Sequence, residues 1–195
     1  MAMIDSAVLK PNVAYFFTHD TETEVPDNLL NPESEGWESS GHTSLEDIIS
    51  ATSEGGESTV LGSLQKRSLR SSQSPLSEGF EINLLQWDDE SLTMYFGANV
   101  TESSDGRLLN VPSQPIPVQK AWLVVIHDGE NVAGFHSKKA EFLRSGDISI
   151  SDTESLAQLP VRITPLGGAG EDFPYSVIKP HKPSGDATPV VTPGG

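Results

Sequence analysis

With 195 residues and no cysteine, the chain can build one core-bearing domain with long loops, but no disulfide framework, thiolate catalyst or cysteine-based zinc site. Its net charge of −16, from 28 acids against 12 bases, repels phosphate backbones and argues against conventional DNA or RNA binding. No apolar run approaches a membrane span, and "MAMIDSAVLKPNV" lacks the regions of a signal peptide, so a protein made and kept, or assembled, in the cytoplasm is the simplest expectation.

Hydrophobic content of 35% with abundant Gly, Pro and Ser suits a β-rich domain with many turns. In chain order, "NVAYFF" (12–17) reads as a first strand, from its aromatic and β-branched residues. Residues 18–36 hold two prolines and many acids and read as a long exposed loop, with Trp37 expected as the anchor that pins it to the core. In "GWESSGHTSLEDI" (36–48), Thr43 and Glu46 have the spacing of a capping box, which makes His42 merely the residue before a helix cap. A second long loop is expected at about 51–79. Within it "STVLGSLQKRSLRSSQ" is strand-like, and Lys66, Arg67 and Arg70 form its basic patch.

"FEINLLQ" alternates apolar and polar residues, the period of a half-buried strand. "WDDESLTMYFG" predicts a helix: Asp88 caps it, Asp89 and Glu90 occupy the first turn, Leu92, Tyr95 and Phe96 face inward, and Gly97 stops it. "AWLVVIHDGENVAGFHSKKAEF" predicts two strands around "DGEN". "DISIS" and "VRITPL" alternate again. In "SDTESLAQLP", Ser151 and Glu154 offer another capping box with Leu156 and Leu159 inward. Residues 179–195 contain four prolines and no periodicity, and are expected as a disordered tail.

Chemistry finds little purchase here. A Ser/His/Asp triad around His42 lacks any nucleophile-elbow glycine pattern. If Gly129 and Glu130 form the turn between the two strands, Leu123 lies opposite His136. His127 and His136 are then roughly 13 Å apart along the sheet, too far to share a metal. "LGGAGED" (166–172) has neither the Lys nor the Ser/Thr of a phosphate loop and reads as a tight connection. We therefore expect no catalytic residue and no metal site.

Taken in order, "GWESSGHTSLEDI", "EGGESTVLGSLQKRSLRSSQSP", "INLLQWDDESLTMYFGAN" and "ISDTESLAQLPVRITPL" resemble the major tail tube proteins of long-tailed bacteriophages, particularly phages of actinobacteria. The resemblance spans about residues 5–178. It implies a mainly β fold, a β-sandwich or barrel with a flanking helix and short capped turns, forming a tail tube domain over 1–178. It further implies a virion tail protein of hexameric rings stacked into a tube, assembled in the host cytoplasm, with no enzymatic activity and no cofactor. Tape measure, tail terminator and distal tail proteins are the implied partners, and DNA would pass through the lumen without specific binding. A competing reading from another class is a non-catalytic β-sandwich module that binds a ligand or protein. The acidic first third, with twelve acids and one base in residues 1–60, reads as a solubilising surface or, more sharply, as one that lets a polyanion pass.

Overall fold

The computed structural model describes residues 8–44, 48–148, 150, 153 and 155–183. The strands are β1 (Val13–His19), β2 (Glu38–Ser39), β3 (Ser50–Gly55), β4 (Ser58–Leu61), β5 (Arg70–Gln73) and β6 (Leu76–Leu84). After the helix α1 (Asp89–Phe96) come β7 (Thr101–Glu102), β8 (Leu109–Asn110), β9 (Val118–Asp128), β10 (Asn131–Arg144), β11 (Leu159–Pro165) and β12 (Ser176–His181). The fold is mainly β and antiparallel, consistent with a β-sandwich. Eight strands form one sheet in the order β2-β1-β9-β10-β11-β6-β3, and β12 joins the side of β10 that β11 leaves open.

The run "AWLVVI" explains the position of β9 at the centre of the fold. A continuous apolar segment in a strand must be covered on both faces. Trp122, Val124 and Ile126 point into the main core with Phe16, Phe80, Ile82, Phe142 and Ile163. The alternate residues Ala121, Leu123 and Val125 point to a second cluster with Phe17, Leu29, Trp37 and Val132. The β9–β10 hairpin pairs Asp128 with Asn131 and Leu123 with His136, the register expected from a Gly129–Glu130 turn. Gly129 supplies the positive φ that such a turn requires.

The cap at Asp88 is formed: its carboxylate accepts the Ser91 N–H at 2.8 Å, and Asp89 and Glu90 fill the first turn. The buried face, however, is Ser91, Met94 and Tyr95, with Leu92 and Phe96 only partly covered. Tyr95 fixes the helix further by donating its hydroxyl to the Gly146 carbonyl at 2.7 Å.

Three expectations need correction. Residues 51–79 are not one loop. They carry β3, the β4–β5 hairpin and the start of β6, and β3 pairs with β6 from Ser50↔Glu81 to Gly55↔Leu76. The final tail does not start at 179, because β12 runs to His181 and pairs there with Val132. Pro180 is tolerated because an edge strand does not need its missing N–H. Near the third predicted helix, Ser151 and Glu154 lie outside the described residues. The flank that is described is not helical: Leu156 is 70% exposed, and Leu159 is already in β11 opposite Leu84. Strand register holds Leu159 extended where the local pattern favours a helical turn.

Candidate assembly surface

The acidic loop between β1 and β2 is pinned by specific contacts. Trp37 is 2% exposed, with its ring edge-on to His19 and His136 at centroid distances of 5.5 and 5.8 Å. His136 is buried and its Nε2 lies 3.0 Å from the Thr23 carbonyl. The acids of the loop take part as well. Glu22 accepts the Ala169 N–H at 2.9 Å, and Glu35 accepts the N–H groups of Asp27 and Asn28 at 3.1 and 2.9 Å. Glu22 holds a φ of 70°, which a side chain rarely adopts, and its N–H donates to the Lys138 carbonyl. Lys138 bridges Glu24 and Glu171 at 2.5 and 2.7 Å. Part of the acidic excess therefore holds structure together as well as solubilising it.

These contacts are pH-sensitive in a definite direction. Burial pushes the His136 imidazole below its ordinary range, and the Thr23 carbonyl and the Glu24 and Glu171 carboxylates only partly offset this. Burial also depresses His127. Hydrogen bonding to Lys138 holds Glu171 below the usual carboxylate range. A depressed histidine means that the unfolded chain binds more protons, so stability is complete above about pH 6.5 and falls as pH drops towards the folded value. Glu171 adds a loss in the same direction at lower pH, below the ordinary carboxylate range. Melting curves should therefore fall from neutral pH downward, and His136→Gln should flatten the part of that slope nearest pH 6.5.

The remaining predicted positions separate into three groups. His42 is exposed and its main chain is engaged: the N–H donates to Gln86 Oε1 at 2.7 Å and the carbonyl accepts from Leu85. Thr43 makes an isolated antiparallel bridge to Leu84. Glu46 lies outside the described residues, while Thr43, Ser44, Ile48 and Ile49 around it are not helical. Lys66, Arg67 and Arg70 are brought together at the far end of the β4–β5 hairpin, and all three are exposed.

That hairpin is the most unusual surface feature. Every residue from 57 to 77 is exposed, including Val60, Leu61, Leu64, Leu69 and Leu76. Among the described residues, its strands pair only with each other, from Ser58↔Gln73 to Leu61↔Arg70. A two-stranded hairpin is marginal alone in water, and this one exposes its apolar side chains as well. Sequence reasoning found the bases but missed the leucines. Their signal was present: four apolar residues within "VLGSLQKRSL" match no buried face of the sheet.

A sheet with open-ended edge strands and an exposed, apolar hairpin suits a subunit that works by association. The comparisons agree. A family model described as "Phage tail tube protein" matches residues 1–188. The "Major tail protein Gp23" of Mycobacterium phage L5 is 36% identical over 191 residues, covering 91% of this chain and 93% of the relative. The protein of the same name from Mycobacterium phage D29 is 35% identical over 190 residues, with the same coverage. The chain belongs to the phage tail tube protein family. It is thus a structural, non-enzymatic component of the virion tail that acts as an oligomer. Among the described residues, no helix is long and apolar enough to cross a membrane.

Proposed function

We propose that the protein forms hexameric rings that stack into the tail tube through which DNA is ejected. The observation that carries this reading is the β4–β5 hairpin, a basic and apolar projection on a strongly acidic protein. A projection with no core of its own gains stability by packing on another copy. Lys66, Arg67 and Arg70 then meet acids of an adjacent subunit or ring, and such complementarity sets register more than affinity. The acidic balance supports the second part. A basic wall would retain DNA through counterion release, whereas a net negative lumen lets it pass without specific binding. Tape measure, tail terminator and distal tail proteins would cap and template the tube.

Hydrogen exchange on free subunit and assembled tube tests this reading. Amides of residues 57–77 should exchange freely in the subunit and gain protection on stacking. Equal protection in the two states, or failure of the purified chain to form rings or tubes at high concentration, would contradict it.

A further inference from the structure

A groove of about 630 Å³ opens beside the start of β1. The lining includes Val13, Tyr15, Ile48, Leu85, Trp87 and Leu156. Trp87 and Tyr15 are 44% and 42% exposed, unusually open for aromatics of this size. Among the described residues, the lining contains no Lys, Arg, Asp or Glu. Exposed Asp88 and Asp89 follow directly on Trp87.

One wall of the groove is an open strand edge. β2 pairs with β1 only at Phe17 and Thr18, and Ser40 donates to the Phe16 carbonyl at 2.8 Å. Among the described residues, no strand lies beside Val13 to Tyr15 on that side. An apolar trough along an unpaired edge suits an extended segment, which can add main-chain hydrogen bonds while its side chains fill the trough.

We infer that this groove is the seat for the β4–β5 hairpin of a second copy. The inference rests on the stacking reading above and names the surface that receives the hairpin. Leu61, Leu64 and Leu69 supply exposed apolar side chains to fill the trough. Arg67 and Arg70 supply cations for the exposed Trp87 ring, and for Asp88 and Asp89 beyond it. The match is heterologous: hairpin and groove are different surfaces, so each copy uses both and the contact propagates from subunit to subunit. Such a contact builds an extended assembly, not a closed dimer.

The absence of cysteine allows a direct test. Two single variants, Leu64→Cys and Trp87→Cys, are mixed, assembled and oxidised. Both positions are solvent-exposed, so neither change disturbs the core. A disulfide requires Cα atoms within about 7 Å, so the mixed disulfide should form to the near exclusion of either homodisulfide. Tyr15→Cys gives a second groove position for the same pairing. Tubes that form without a mixed disulfide at either groove position would overturn the inference and leave the stacking reading standing. A bond from Trp87→Cys to Val8→Cys in place of Leu64→Cys would put the amino-terminal segment in the groove, and would also overturn it. If the unaltered chain forms neither rings nor tubes, the stacking reading fails and the inference fails with it.

Discussion

Trp37→Ala should lower folding stability by about 3–5 kcal/mol, the usual cost of emptying a buried aromatic site. The side chain is almost wholly enclosed among Phe17, Leu29, Leu123, Val125 and Val132, and two histidine rings pack edge-on against it. Removing it leaves a cavity that the surrounding strands cannot close, because β1 and β9 are fixed in register along seven residue pairs. For a chain of this length the melting temperature should drop on the order of 10 °C. Tyr15→Ala, near the exposed start of β1, should cost far less. A second readout separates anchor from filler. If Trp37 pins the acidic loop, hydrogen exchange should rise over residues 20–37 before the rest of the sheet opens. A melt unchanged by Trp37→Ala would remove its role as anchor.

That loop shows which parts of the fold could be read from sequence. Alternation in "FEINLLQ" and the continuous apolar run "AWLVVI" dictate strands directly, since side-chain period and burial are local properties. The register of the β9–β10 hairpin followed from one glycine turn. The cap at Asp88 was equally local. What escaped were features fixed by distant partners. Leu156 looks inward in a helical reading, yet Leu159 is held in β11 by Leu84, seventy-five residues earlier in the chain. Ser50 to Gly55 has no apolar face, and it is a strand because β6 offers it an edge. Lys179 and Pro180 look like a tail, and they extend β12 because β10 is longer than β11 can cover.

The candidate surface divides along the same line. The three bases in "LQKRSLR" are conspicuous in an acidic chain, so their cluster was visible. The groove around Trp87 was not, because its walls come from β1, the segment before β3, the end of β6 and the approach to β11. No single window of sequence contains those walls. The acids of the first third were also legible only in bulk. Their sum suggests a repelling surface, whereas Glu22, Glu24 and Glu35 each hold a particular partner.

Reversing the hairpin charge, with Lys66→Glu, Arg67→Glu and Arg70→Glu together, should abolish tube formation while leaving the free subunit as stable as before. The second half of this expectation follows from geometry. None of the three side chains takes part in an ion pair among the described residues, and the whole hairpin is exposed, so folding has nothing to lose there. The first half depends on number. A single exposed ion pair contributes only about 0.2–1 kcal/mol, and one lost pair would be tolerated. Here three attractions become three repulsions in every copy, against a partner that is itself acidic, and the penalty recurs around each ring. Salt should distinguish charge from shape. Exposed charges are screened beyond roughly 8 Å at physiological ionic strength, so added salt should partly restore stacking to the reversed variant. If the leucines fill the groove, Leu64→Asp should also block stacking, and salt should rescue it poorly because the lost contact is apolar. A reversed hairpin that stacks as readily as the original at low salt would return the three bases to a solubilising role and leave the leucines as the whole of the contact.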